Sequence, residues 1–279
     1  MNEKNRNLAL RVVSALLLFP SAVALTVVGG LPFALLAAGA AGLAAWELVG
    51  MLAPRVGAAE AFGVAVAGAI PLAAWRACEA AQGGPMLFPA GAGIGLAFAL
   101  VLVMALNTFR DRPLEEAPRA ISAVTLAWLY CGLLLATLVA LRLRFGWPWV
   151  ILAFVVTWGN DTFAYFAGRA FGKHPMYPRV SPKKTWEGYA GGVVGSVLTA
   201  FLAKLPFLAP EITPLGCVVL GLGGALLGPA GDLAESLLKR AAGIKDSGKL
   251  IPGHGGLLDR IDALLFVAPW IYAFAAWLR

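Results

Sequence analysis

The segment Ser236–Asp262, SLLKRAAGIKDSGKLIPGHGGLLDRID, decides how this chain is read. It sets two Gly-rich turns, five Lys/Arg and three Asp between two strongly apolar stretches. The segment itself is too polar to cross a membrane, while the sequence on either side is apolar enough to do so. A basic, Gly-rich loop rimmed by carboxylates suits a metal-bound, polyphosphorylated ligand presented at a membrane surface. Glycine exposes backbone N–H groups that cradle phosphate oxygens, Lys and Arg neutralise them, and Asp holds divalent cations.

The flanks extend that membrane character to the whole chain. Hydrophobic residues make up 60% and charged residues 13%, against about 25% charged in an average soluble domain. With a mean hydropathy of +0.80, the chain is expected to be an all-α integral membrane protein. Nine apolar spans are read, at 8–28, 32–51, 60–75, 85–106, 120–141, 148–168, 188–208, 214–233 and 261–278, each near the length that crosses the hydrocarbon core. The polar start MNEKNR runs into an apolar stretch of span length, which fits a first span better than a cleavable signal. Cys78, Cys131 and Cys217 are scattered in apolar segments and read as small buried residues, not as metal ligands or disulfides.

The net charge of +7 could suggest nucleic acid until it is mapped. With the N-terminus in the cytoplasm, all but five of the 22 Lys/Arg fall on the cytoplasmic side; the exceptions are Arg76, Arg142, Arg144, Lys204 and Arg279. Positive residues favour that side, so the excess is mainly a topology signal. No basic–aromatic interleaving points to nucleic acid, and no P-loop, HExxH or strand-borne GxGxxG is present. The expectation is a multi-pass protein of a bacterial-type inner membrane whose site faces the cytoplasm. Its oligomeric state, a homodimer included, stays open.

The chain divides into 1–145, read as structural or lipid-facing helices, and 146–279, read as a catalytic region with cytoplasmic loops 169–187 and 234–260. In the first part, Glu47 is the one acid inside a span. Such an acid usually marks function, but it sits a turn from the span's end and can simply reach the interface. The connector NTFRDRPLEEAPR reads as solvated.

The second part carries the chemistry. Asp161, Tyr165 and Arg169 recur every four residues on one helix face. Asp232, Glu235, Ser236 and Lys239 form a stripe at i, i+3, i+4 and i+7, and lipid cannot satisfy such groups. Asp232 and Asp259 bracket the basic loop and are the expected metal clamp, with Asp262 and Asp161 in support. The bland alternative is that each acid pairs with a nearby Lys or Arg. Basic residues at cytoplasmic helix ends are ordinary, but Lys239, Arg240 and Lys245 cluster with glycines. Among these, Gly255 and Gly256 leave backbone close to any ligand. His254 suits a hydrogen bond to phosphate or to the loop better than metal ligation, having no second His nearby.

The segment from Ser236 to Asp262 resembles, position by position, the signature of the phosphatidate cytidylyltransferases. Ser236, Lys239, Arg240, Lys245, Asp246, Gly248, His254, Gly255, Gly256, Asp259, Arg260 and Asp262 fill its defining positions. The Asp161–Arg169 face and SPKKTWEG, Ser181–Gly188, are similar too, while the first half is similar only in hydrophobic rhythm and in Arg11, Pro20 and Glu47. The resemblance implies that CTP and phosphatidate are the substrates, CDP-diacylglycerol and pyrophosphate the products, and Mg²⁺ the cofactor, with a second cation left open. It implies catalytic roles for Asp232, Asp259, Lys239 and Ser236. The CTP phosphates would fall to Lys239, Arg240 and Lys245, with His254, Gly255, Gly256 and Arg260 beside them. The lipid headgroup would fall to Lys183, Lys184 and Arg179. A CTP-dependent lipid-alcohol kinase and a transporter are the rival classes. The kinase would need a general base, and the transporter would want its charges at the bilayer midplane.

Overall fold

The structure, a computed structural model, describes residues 3–53, 55–81, 90–111, 113–251 and 255–278, with side chains from residue 16 and, in the fourth helix, from residue 93. Its helices are α1 (Glu3–Val28), α2 (Gly30–Leu52), α3 (Ala58–Ala80), α4 (Ala90–Thr108), α5 (Glu116–Ala127), α6 (Leu134–Phe145), α7 (Trp147–Phe171), α8 (Trp186–Ala200), α9 (Pro214–Ala241) and α10 (Leu258–Trp277). A π-helical turn, Trp128–Leu133, joins α5 to α6, so the two run as one span.

A helix lies in each of the nine stretches read as spans, but among the described residues six are long and apolar enough to cross a membrane. The described parts of α1 and α4, Leu16–Val28 and Gly93–Thr108, are apolar but shorter. The stretch at 188–208 departs from expectation. There α8 stops at Ala200 and a 3₁₀ turn, Phe201–Lys204, follows. Fifteen helical residues rise about 22 Å, less than the roughly 30 Å hydrocarbon core. The all-helical expectation also needs one correction. In the segment read as a loop, β1 (Pro175–Tyr177) and β2 (Ser181–Thr185) pair as an antiparallel hairpin.

The chain forms two compact units: Met1–Arg144 with Asp246–Arg260, and Phe145–Lys245 with Ile261–Arg279. In the first, small residues let α2 and α3 approach, as expected for membrane helices. A Cβ on Gly68 would lie 3.3 Å from the Ala38 carbonyl oxygen and 3.5 Å from Gly42 Cα. The Trp128 indole N–H donates to the Gly63 carbonyl at 2.7 Å, tying the π-helical turn to α3. The connector expected to be solvated is anchored instead. Arg110 reaches the fully buried Glu60 at 2.8 Å, whose carboxylate also accepts the Gly57 N–H at 2.7 Å and so caps α3.

In the second unit α7 and α8 pack along glycines; a Cβ on Gly168 would lie 3.4 Å from Gly188 Cα. Thr213 caps α9, its hydroxyl accepting the Gly216 N–H at 3.0 Å, and Pro214 fills the first turn, where no N–H is missed. The 28 residues of α9 span about 42 Å. That exceeds the thickness of a hydrocarbon core of about 30 Å. The Trp270 indole N–H donates to the Leu220 carbonyl at 3.0 Å and holds α10 against α9.

Candidate active site

In the second unit the stripe foreseen on α9 faces protein. Glu235, Ser236 and Lys239 are buried, and Asp232 is half-buried. Lys239 Nζ sits 2.5 Å from Glu235 Oε2, one helical turn away. The Ser236 hydroxyl donates to Asp232 Oδ1 at 3.3 Å. The other Asp232 oxygen is 2.7 Å from Lys184 Nζ, which β2 delivers. The sequence reading set Lys184 apart with the lipid headgroup; the structure joins it to Asp232. Asp262 on α10 feels the charges of Asp232 and Asp161 and of Lys239. These four groups therefore share one electrostatic neighbourhood.

The hairpin that carries Lys183 and Lys184 is itself held from α8. Glu187 Oε2 accepts the Lys173 and His174 backbone N–H groups at 3.1 and 3.2 Å, and its Oε1 meets His174 Nδ1 at 2.5 Å. The His174 ring first, and then the Lys173 N–H, hold the Glu187 carboxyl down to about 2. Thr185 caps α8, its hydroxyl accepting the Gly188 N–H at 3.2 Å. Lys183, Arg179 and Lys245 are exposed. Arg240, expected at a phosphate, donates from Nε to the Val180 carbonyl at 3.2 Å and from Nη1 to the Ile244 carbonyl at 3.0 Å. Its guanidinium links the hairpin to the end of α9.

In the first unit the glycine-rich loop closes on carboxylates. Asp259 Oδ2 accepts the Ser247 N–H at 3.0 Å, the Gly256 N–H at 2.9 Å and lies 3.0 Å from the Ser247 hydroxyl. Gly255 has φ +84°, and a Cβ there would come 2.9 Å from Asp259 Oδ2, so glycine is demanded twice over. Arg260 is exposed; His254 lies outside the described residues. Glu47, which the sequence left free to reach the interface, is buried against this loop. It accepts the Leu257 N–H at 2.9 Å, the Leu258 N–H at 2.8 Å and the Ser247 hydroxyl at 3.0 Å. Its one signal in the sequence was an acid inside an apolar helix. Glu187 and Ser247 carried no such signal.

Asp232 belongs to the second unit and Asp259 to the first. Among the described residues, no group of three or more His, Cys, Asp or Glu stands so as to hold a metal ion; Lys184 and Lys239 are the cations set against Asp232 and Glu235. The donor chemistry does fit Mg²⁺. Carboxylate oxygens are its preferred ligands, and the repulsion that Asp232 and Asp161 exert on Asp262 is what a divalent charge would relieve.

Among the described residues, six apolar helices and an interior stripe of acids and lysines fit a multi-pass helical membrane protein. The chain belongs to the cytidylyltransferase family, whose model matches residues 9–278. It is 40% identical over 155 residues to the phosphatidate cytidylyltransferase of Bacillus subtilis, covering 55% of this chain and 57% of that one. It is 37% identical over 188 residues to that of Thermotoga maritima, covering 64% and 67%. Against the Brucella abortus protein of the same name it is 42% identical over 156 residues, covering 53% and 57%. The chain thus spans between about half and two thirds of the length of these relatives.

Proposed function

We propose that this protein transfers the cytidylyl group of CTP to phosphatidate, giving CDP-diacylglycerol and pyrophosphate. The observation that carries this reading is the acid–lysine cluster of Asp232, Ser236, Lys239 and Lys184 in a chain whose relatives bear that activity's name. A phosphate oxygen of phosphatidate attacks the α-phosphorus of CTP. The bond from the α-phosphorus to the oxygen bridging it to the β-phosphorus breaks, and pyrophosphate leaves with the electron pair. The nucleophile is already ionised at neutral pH, so no strong general base is required, and positioning with charge neutralisation carries the catalysis.

Asp232, Asp262 and Asp161 in the second unit are proposed holders of Mg²⁺, and Asp259 in the first unit is proposed as a cation ligand; a bound cation would neutralise charge developing on the transferred and departing phosphates. Lys239 and Lys184 neutralise phosphate oxygens once substrate draws them from Glu235 and Asp232. Exposed Lys183 and Arg179 suit the lipid headgroup, and exposed Lys245 and Arg260 the nucleotide. Nine spans with the N-terminus and both basic loops in the cytoplasm would put the site within reach of cytosolic CTP; the bias of Lys/Arg supports that orientation. The test is the purified protein in detergent with Mg²⁺, phosphatidate and labelled CTP. Label should enter the lipid only when all three are present. Lipid labelling that does not need phosphatidate would remove the reading.

A further inference from the structure

Glu47 lies 200 residues before Ser247 in sequence, yet within the first unit it holds the loop that Ser247 opens. The residue is only 8% exposed. A buried carboxylate in an apolar helix is unfavourable unless its oxygens are fully hydrogen-bonded. Here two of the donors are the Leu257 and Leu258 N–H groups, at the N-terminus of α10. There the unsatisfied donors and the helix dipole favour a negative charge. Capping α10 would need nothing more.

Two features go further. The Ser247 hydroxyl lies 3.0 Å from Glu47 Oε2 and 3.0 Å from Asp259 Oδ2, and a hydroxyl has one proton to give. The glycines on either side are shaped to Glu47: a Cβ on Gly248 would lie 2.6 Å from its Oε1, and one on Gly256 would lie 2.5 Å from its Oε2. The loop is therefore built around the Glu47 carboxylate, and the Asp259 carboxylate is seated on that loop through Ser247 and Gly256.

We infer that Glu47 is a positioning residue that fixes the Asp259 carboxylate through Ser247 and the first turn of α10. The Ser247 and Gly256 N–H groups keep Asp259 Oδ2 in place, and a Ser247 hydroxyl given to Glu47 would leave a lone pair of that oxygen open to a cation. This rests on the proposed role of Asp259 in a metal-dependent transfer. Outer-shell partners of metal ligands typically contribute ten- to a hundredfold in affinity or activity.

The experiment uses the full-length protein in detergent with Glu47→Gln and Ser247→Ala. Mn²⁺ binding is followed by electron paramagnetic resonance, alongside half-saturating Mg²⁺, the KM for phosphatidate and amide exchange at Ser247, Gly256, Leu257 and Leu258. Glu47→Gln should weaken Mn²⁺ binding and raise half-saturating Mg²⁺ about ten- to a hundredfold, leave the KM for phosphatidate unchanged, and speed exchange at Leu257 and Leu258 at least about tenfold. A merely structural cap would lower the amount of active enzyme without moving the metal requirement, and that result overturns the inference. If Glu47→Gln does not insert, Ser247→Ala decides, since it deletes only a hydroxyl; unchanged Mn²⁺ binding there also overturns it. A wild type that binds Mn²⁺ but transfers no cytidylyl group would sink the proposed reaction, while Mn²⁺ binding and exchange in the variants would still decide the role of Glu47.

Discussion

Lys184 and Asp232 meet at 2.7 Å with both side chains only partly exposed, 25% and 36%. Neither charge is fully solvated, so removing one member leaves the other poorly paired, which costs more than an exposed ion pair would. Asp232→Asn is expected to reduce turnover below about a tenth of wild type, because it removes both a proposed cation ligand and the partner of Lys184. Steady-state rates on protein matched for membrane insertion check this, and activity near wild type would take Asp232 out of the site. At this scale the sequence was partly legible. The α9 stripe could be read because helical period alone places its four members together. The partner of Asp232 could not be read, because Lys184 arrives from a hairpin 48 residues away and periodicity says nothing about such distances. Glu47 was visible as an anomaly but not as an anchor, for the same reason.

The β1–β2 hairpin is the element on which the basic side chains Lys183 and Lys184 ride, and Glu187 ties it to α8. Because the folded Glu187 carboxyl lies at about 2 against an ordinary value of 4.5, the anchor is fully present above pH 4.5. It is lost as pH falls from there through about 2. Protection of the Lys173 and His174 amides against hydrogen exchange, followed down this range, should persist to about pH 4.5 and fade below it. Protection that stays undiminished down to about pH 2 would mean that the Glu187 carboxylate does not hold these amides. Glu187→Gln should remove the pH dependence of that protection. The hairpin was hidden in the sequence because three- and five-residue strands give too little alternation to stand out from a loop. The π-helical turn inside the α5–α6 span and the early end of α8 were hidden too, since hydropathy measures how apolar a stretch is and not how its backbone winds.

For the whole molecule, composition set the class and the long apolar helices carried it. Orientation is the property that most constrains the proposed function, which requires CTP and both basic loops to share a compartment. In a background lacking Cys78, Cys131 and Cys217, a cysteine at Lys183 or Lys249 should be labelled by an impermeant reagent only from the cytoplasmic face. One at Arg144 should be labelled only from the opposite face. Labelling at Lys183 and Lys249 from outside would reverse the proposed topology and part both loops from cytosolic CTP.

In the proposed transfer the bond that breaks lies between the α-phosphorus of CTP and the oxygen bridging it to the β-phosphorus, and the stoichiometry of products reads this out. With purified protein, phosphatidate, Mg²⁺ and CTP labelled separately in the base and the γ-phosphate, pyrophosphate should appear one-for-one with lipid-linked cytidine, and the γ label should never enter lipid. CDP released with γ-phosphate transferred to lipid would rule out cytidylyl transfer and assign the site to a CTP-dependent kinase.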